Sequence, residues 1–263
     1  MNIITLGPDG SYSSLASKQV QRENPDMDIV YSNSIPEIFA QRKGSDLAII
    51  PIENNYGWPV HDTMYAIYQQ RWCVQILGWI SLRIEHCLAG IPGSSIESIE
   101  DIYSHPQALR QCEKNIAALG AMPNNVSSTT AHIPHMKEWE AVICSEDAAI
   151  ANGLSILDKD FAPENNITKF AIFGSNEVDY SGNKLNGEKF PKKQTIAILS
   201  VGDAPGALAR ALTAVAHAGL SLHFIESIAN KTGGYDFPIL IENPEGLDIK
   251  DIVKDFDFGV QVI

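Results

Sequence analysis

Hydrophobic and polar positions change period repeatedly along this chain, and each change marks an element. An apolar run at 2–6 gives way to Gly7-Pro8-Asp9-Gly10-Ser11-Tyr12-Ser13, then to Leu15, Ala16 and Val20 at helical spacing. Short apolar runs bounded by turn residues predict strands; recurrence at three and four predicts amphipathic helices. Further strands are predicted at 28–31, 46–52, 74–88, 126–129, 141–144 and 166–174. Helices are predicted from the capping pattern Ser34-Ile35-Pro36-Glu37 to about 44, and at 60–70, 94–101, 106–120, 130–139 and 148–152. Leu47-Ala48-Ile49-Ile50 is too continuous to be half exposed and predicts a central parallel strand. Strand and helix alternate to about 175, the pattern of doubly wound parallel sheets with helices on both faces. A crossing near 80 and a return near 168 predict two lobes and a cleft, lobe one about 1–77 and 166–178, lobe two about 78–165.

The remainder has another order. Residues 179–193 are polar and rich in Gly, Asn and Lys, a linker composition. Strands at 194–201, 220–229, 235–241 and 258–263 are interleaved with helices after Pro205-Gly206 and at 247–256. That βαββαβ order is a ferredoxin-like split unit, with Pro238 placing its strand at an edge or a bulge.

Composition narrows the function. A net charge of -13 argues against a nucleic-acid binder, which needs a basic face. An anionic ligand must therefore be held by local dipoles and a few cations against the overall field. The start carries no basic n-region and no run reaches the ~18 apolar residues of a membrane span, so neither secretion nor membrane insertion is expected. Cys73, Cys87, Cys112 and Cys144 lack CxxC spacing and suit a reducing cytoplasm.

Four polar stretches carry candidate chemistry. Gly10 and Ser11 follow a strand and open a helix, which exposes backbone N–H groups to an anion or is a plain turn with Ser11 or Ser13 as cap. Glu53 and Asn54 lie beyond the carboxyl end of an apolar strand, where ligands gather on open sheets; an Asn/Gly turn is the alternative. In Ser104-His105-Pro106-Gln107-Ala108-Leu109-Arg110-Gln111-Cys112, Ser104 and His105 sit at a helix start, and Gln107 and Gln111 share a face. They suit a carboxylate or hydroxyl ligand, or a well-capped helix. In Asn166-Ile167-Thr168-Lys169-Phe170, alternation sets Thr168 and Phe170 on one face and Lys169 on the other. A hydroxyl beside a ring, with a cation behind, suits a small anionic ring substrate; Thr is also simply a good strand former. His132, His135 and Glu138 have a ligand-like spacing, but Pro134 breaks the helix that would align them, so a solvated face is expected.

These four stretches in this order, followed by Pro205-Gly206-Ala207-Leu208 and Ile225-Glu226-Ser227, resemble prephenate dehydratase with a C-terminal ACT regulatory domain. The resemblance covers nearly the whole chain. It implies a two-lobed catalytic domain at 1–178, similar to periplasmic binding proteins, and an ACT domain at 194–263. It implies conversion of prephenate to phenylpyruvate, carbon dioxide and water on the route to phenylalanine, with no metal or organic cofactor. The family's essential threonine falls on Thr168, with catalytic help expected from Ser104, His105 and Gln111. Substrate contacts are expected from Gly10, Ser11, Asn54, Gln107, Lys169 and Phe170. The Thr168 hydroxyl is assigned to the leaving oxygen, its proton relayed from water or His105. Effector positions fall on Gly206, Ala207, Leu208, Ser221, Glu226 and Ser227, with L-phenylalanine the candidate effector of a homodimer or homotetramer.

The chain departs from the family in places. Lys169 stands for Arg, keeping charge and losing the planar fork. Asn55 replaces Ser or Thr, and Trp58-Pro59 is bulkier than usual. The ACT motif Glu-Ser-Arg-Pro becomes Glu226-Ser227-Ile228-Ala229, and its usual Asn is Ser221. A phenylalanine sensor and an assembly module without ligand both stay open. So do arogenate as substrate and a non-catalytic amino-acid-binding regulator, while Thr168 argues against decarboxylation alone.

Overall fold

The computed structural model describes residues 1–56, 61–126, 129–180, 194–231, 233–243, 247–253 and 259–263. Trp58-Pro59, most of the expected linker and the end of the expected last helix lie outside the described residues. The chain begins with β1 (Asn2–Leu6), α1 (Tyr12–Glu23), β2 (Asp28–Ser32), α2 (Ile35–Gln41), β3 (Leu47–Asn54), α3 (His61–Gln70) and β4 (Val74–Arg83). Then come β5 (His86–Gly90), β6 (Asp101–Ser104), α4 (Pro106–Gln111), α5 (Glu113–Leu119), β7 (Met122–Asn125), α6 (Thr129–His132), β8 (Glu140–Ser145), α7 (Glu146–Ala151), β9 (Ser155–Asp158) and β10 (Ile167–Ser175). The last part holds β11 (Gln194–Val201), α8 (Ala207–His217), β12 (Ser221–Ile225), β13 (Ile228–Ala229), β14 (Tyr235–Glu242), α9 (Ile249–Val253) and β15 (Gly259–Val262).

The first two sheets make two lobes. Lobe one has strand order β2-β1-β3-β10-β4 and lobe two β7-β6-β8-β5-β9. The expected parallel pairing holds among β1, β2 and β3 and among β6, β7 and β8. β10, β4, β5 and β9 pair antiparallel, so both sheets are mixed. The reason is connectivity. β4 leaves lobe one and β10 returns beside it without a crossover helix, so the two must run in opposite directions. β4 stays in lobe one through Arg83, which moves the expected crossing to residues 84 and 85. The Ile84 N–H bonds the Asn166 carbonyl at 2.7 Å, so the outward and return crossings are tied together.

Local signals explain most elements. Ser34 caps α2 by accepting from the Glu37 N–H, while the Glu37 carboxylate reaches back past the cap to accept from the Asn33 N–H, a variant of the expected capping box. The helix expected at 106–120 breaks at Cys112 into α4 and α5. The strand expected at 126–129 lies earlier, at Met122–Asn125, an edge position that tolerates Pro123. β9, a four-residue edge strand, has too short a pattern to be read.

The C-terminal strands order as β12-β14-β11-β15, all antiparallel, with β13 also on β14: the split βαββαβ arrangement. Pro238 proves to lie in the internal strand β14, not at an edge. Its carbonyl accepts from the Glu226 N–H in the gap between β12 and β13, so its missing N–H costs no ladder bond. α8 and α9 cover one sheet face, where Leu199, Ala211, Val215 and Ile249 pack. On the other face, Ile196, Ile198, Leu240 and Ile263 share one core with Ile35, Ile38, Phe39, Met64 and Ile67 of lobe one. That sheet face is therefore covered within the chain. Among the described residues, no helix is long and apolar enough to cross a membrane.

Near the end of β10, Gly174 lies under the Tyr180 ring, whose hydroxyl accepts from the Ser175 N–H at 3.0 Å. A Cβ on Gly174 would sit 2.6 Å from the Tyr180 Cε2 atom and 2.7 Å from the Leu77 Cδ1 atom. Gly174→Ala is expected to cost about 1–3 kcal/mol through overpacking, measured by urea unfolding. An unchanged midpoint would show that Tyr180 and Leu77 move aside freely.

Candidate active site

The site is built where β10 meets β3. Thr168 pairs with Asn54 and Lys169 with Glu53, and then Phe170 pairs with Pro51, leaving Ile52 as an extra residue. That bulge re-aims the end of β3. Without it, Glu53 and Asn54 would exchange faces. With it, Asn54 and Thr168 share the face on which α1 packs, while Glu53 and Lys169 share the face toward the C-terminal sheet.

A chain of neutral side chains crosses from Thr168 to lobe two. The Asn54 Nδ2 donates to the Thr168 Oγ1 at 2.9 Å and to the Asn166 Oδ1 at 2.7 Å. The Asn166 Nδ2 donates to the Gln111 Oε1 at 3.2 Å, and the same oxygen lies 2.8 Å from the His86 Nε2. Amide orientation is normally an assignment, but here one group fixes it. The backbone N–H of Tyr56 can only donate, and it meets the Asn54 side chain at 2.8 Å. That atom is therefore Oδ1, the other is Nδ2, and the sense of each later bond follows. The His86 Nε2 must carry a proton. The Thr168 oxygen accepts from Asn54 and, among the described residues, its own proton meets no acceptor. The arrangement holds a hydroxyl ready to donate.

All five residues are buried, and none carries a formal charge when His86 is neutral. Burial holds the His86 imidazole below its ordinary pKa, against a smaller upward pull from the Gln111 hydrogen bond. Its ring meets Tyr12 edge to face at 5.6 Å, and the Tyr12 hydroxyl donates to the Glu85 carbonyl at 2.7 Å. The two lobes touch again where the Ser145 hydroxyl donates to the Gly10 carbonyl at 3.5 Å.

The other expected site residues divide. Gly10 adopts φ 81° ahead of α1, and Ser11 caps that helix, accepting from the Ser14 N–H at 3.2 Å and donating to the Leu6 carbonyl at 3.4 Å. Its hydroxyl is spent on the cap. Ser104 ends β6 and donates to the Ile143 carbonyl at 2.7 Å. His105 caps α4, its Nδ1 accepting from the Gln107 N–H at 3.3 Å. Burial and then the nearby Arg110 cation hold its pKa down. Gln107 stands half-buried one turn from Gln111.

Lys169 and Phe170 stand elsewhere than expected. Phe170 is buried among Ile3, Ile49, Ile80 and Ile172, with its ring in the lobe-one core. Lys169 turns from Thr168 and pairs with Glu53 at 2.5 Å, where Gln194 of β11 donates to the same carboxylate at 2.8 Å. The His223 Nδ1 of β12 lies 3.8 Å from Glu53. Burial alone would raise the Glu53 carboxyl, but Lys169 and Gln194 outweigh it and hold it below the usual range. Glu53 thus joins lobe one to the C-terminal unit, with Lys169 balancing its charge from β10. In that unit, Gly206 takes φ 78° before Ala207 and Leu208 of α8, Ser221 starts β12, and Glu226-Ser227 fill the gap before β13.

His86 and Asn166 were not among the expected site residues. Asn166 had a signal: two asparagines precede the strand, and Asn165 adopts φ 62°, a conformation Asn tolerates. Asn55 braces that turn, donating to the Asn165 carbonyl and accepting from the Ile167 N–H at 2.7 Å. His86 sits in an apolar run with nothing local to mark it.

The fold and site define a two-lobed α/β protein whose lobes meet over a buried chain of amides that ends on the Thr168 hydroxyl. The chain belongs to the prephenate dehydratase family, whose profile matches residues 3–178. It is 32% identical over 251 residues to the prephenate dehydratase of Methanocaldococcus jannaschii, covering 92% of this chain and 88% of that one. It is 29% identical over 234 residues to arogenate dehydratase 2 of Petunia hybrida, covering 86% of this chain but 56% of that protein. The chain thus spans little more than half the length of that plant relative. Among solved structures, prephenate dehydratase from Arthrobacter aurescens in complex with L-Phe superposes with a TM-score of 0.78. It covers 100% of this chain and 89% of that one at 22% identity, which shows the fold alone.

The lowered His86 pKa has a consequence for stability. The unfolded chain takes up a proton at about pH 6.5 that the folded chain refuses, so folding stability falls as pH drops below that value. His86→Gln removes this titration, and its loss of melting temperature between pH 7.5 and pH 5 is expected to be smaller than that of the wild type. Equal losses would place the His86 titration in the folded state near its ordinary value.

Proposed function

We propose that this chain catalyses the decarboxylating dehydration of prephenate to phenylpyruvate. The observation that carries the reading is the 2.9 Å bond from the Asn54 amide to the Thr168 oxygen, which leaves the Thr168 proton to donate. In the reaction the ring carboxylate leaves as carbon dioxide, and its electron pair moves through the diene. The C4–oxygen bond breaks, hydroxide departs and is protonated to water, and the ring becomes aromatic. Thr168 donates a hydrogen bond to the departing oxygen, with the proton supplied by water or through His105. Acid assistance of this kind contributes about 10²–10⁴ in rate.

The substrate is a dianion, and the buried chain from Thr168 to Gln111 offers it no cation. The first turn of α1, beside the contact between Gly10 and Ser145, brings the positive end of a twelve-residue helix to the cleft. That supports carboxylate binding there, with Gln107 on the facing lobe. Arogenate carries an amine in place of the keto group and undergoes the same ring chemistry; the petunia relative's name favours testing it beside prephenate.

The C-terminal unit is proposed to be an ACT domain. With one sheet face covered by lobe one, its edges β12 and β15 support assembly of a homodimer or homotetramer. L-phenylalanine is bound by the Arthrobacter relative. Here Ser221, Ile228 and Ala229 replace polar or rigid motif positions, so inhibition by phenylalanine is expected to be weak or absent. The scattered cysteines suit a cytoplasmic setting.

Purified protein supplied with prephenate, then with arogenate, is followed by phenylpyruvate absorbance and by phenylalanine release. Thr168→Ala is expected to lower kcat by about 10² or more with little change in KM. A kcat within about twofold of wild type removes Thr168 from the mechanism. The same assay with added phenylalanine checks regulation, and tight inhibition would show that Ile228 and Ser221 are tolerated in a working effector site.

A further inference from the structure

We propose that His86 is a positioning residue for the chemistry assigned to Thr168, acting through Gln111 as a fixed Nε2–H donor; this rests on the function proposed above. Three observations carry it. His86 is 6% exposed, and its Nε2 lies 2.8 Å from the Gln111 Oε1. The Tyr56 N–H sets every amide between Thr168 and Gln111, so that oxygen cannot be a donor. The His86 Nδ1 is buried with no hydrogen-bond partner.

The opposite tautomer is penalised twice. It would turn two lone pairs toward each other at the Gln111 contact and bury an N–H donor against nothing. The Nε2–H form costs one unmade acceptor bond. A histidine held only for its packing would be an odd choice here, since an apolar side chain of similar volume fills the space without an orphan nitrogen. What an apolar residue lacks is the Nε2–H. With it, the Gln111 oxygen accepts from both sides and its amide plane is locked. Asn166 is then held with its oxygen toward Asn54, and Asn54 keeps one hydrogen for Thr168. Without it, Gln111 turns, Asn166 loosens, and Asn54, still oriented by the Tyr56 N–H, loses the second anchor that holds its amide in line with the Thr168 oxygen. His86 lies at the crossing between the lobes and has no contact with the Thr168 hydroxyl itself. The effect is therefore expected on kcat and not on substrate binding.

The experiment combines selective ¹⁵N-histidine labelling with three variants. Two-bond nitrogen–proton correlations, assigned by the peaks missing from His86→Gln, are expected to show the Nε2–H tautomer at pH 7.5. His86→Leu and His86→Asn, whose side chains offer no donor at the Nε2 position, are expected to lose about tenfold or more in kcat, with KM within about threefold. His86→Gln extends its amide to that position and is expected to restore most of the loss. Melting temperatures show which variants are folded; if His86→Leu is not, the pair of His86→Asn and His86→Gln decides. An Nδ1–H tautomer overturns the proposal, as does a folded Leu or Asn variant with kcat within about twofold of wild type. A wild-type protein inactive on both prephenate and arogenate sinks the proposed function instead, and the tautomer then decides the place of His86 alone.

Discussion

Lobe one depends on a strand that reaches it only after lobe two has been built. β10 lies between β3 and β4 and pairs with both, so the sheet is incomplete until residues 167–175 return. The chain must cross between lobes at 84–85 and come back at Asn166, and the Ile84–Asn166 bond joins those crossings. Side chains near this junction belong to both lobes at once. Burial there demands that each polar atom find a partner, since an unmade bond in such a place costs about 1–3 kcal/mol. Gln111, Asn166, Asn54 and Thr168 satisfy one another for that reason.

The same ladder faces two ways. Asn54 and Thr168 point toward α1 and the cleft, while Glu53 and Lys169, each one residue away, point toward the C-terminal sheet. Gln194 and His223 of that sheet meet the Glu53 carboxylate. The Ile52 bulge sets both facts, because removing one residue from β3 would exchange the roles of its last two side chains. The catalytic half and the C-terminal unit also share a continuous apolar core through α2 and α3. The C-terminal sheet thus meets a carboxylate covalently adjacent to Asn54 and paired with the neighbour of Thr168.

This bulge also marks where sequence reasoning runs out. Period-two alternation placed Thr168 and Lys169 on opposite faces, and the strand keeps that order. What lay behind Lys169 could not be read, since its partner Glu53 is far back in the chain and Gln194, which donates to the same carboxylate, lies in a separate unit. Lys169 looked like a substrate cation because its only visible neighbours were the motif's own residues. Phe170 was misplaced for a related reason: alternation gives a face but not how far along that face the core extends. The two lobes and the C-terminal split unit were legible because their elements are long and periodic. Strand direction was not, because the return of β10 beside β4 is a matter of connectivity. Asn54 and Gln111 stood out as polar residues at a strand end and on a helix face. His86 opens an apolar strand, and its use depends on a glutamine 25 residues away.

A neutral chain is a reasoned choice for the proposed reaction. A lysine or arginine beside the departing carboxylate would bind the substrate well, but it would stabilise charge that must vanish as carbon dioxide leaves. Interactions that favour the ground state as much as the transition state do not raise kcat. Charge instead grows on the C4 oxygen, so a donor is needed there and nowhere else in the buried chain. Thr168 has its oxygen already filled by the Asn54 amide, which leaves donation outward as its free hydrogen-bonding role. Keeping the Lys169 ammonium on the far side of the strand, neutralised by Glu53, then serves the chemistry as much as the docking. The motif's cation is next in sequence to the Thr168 hydroxyl and is held off it by the pleat of β10.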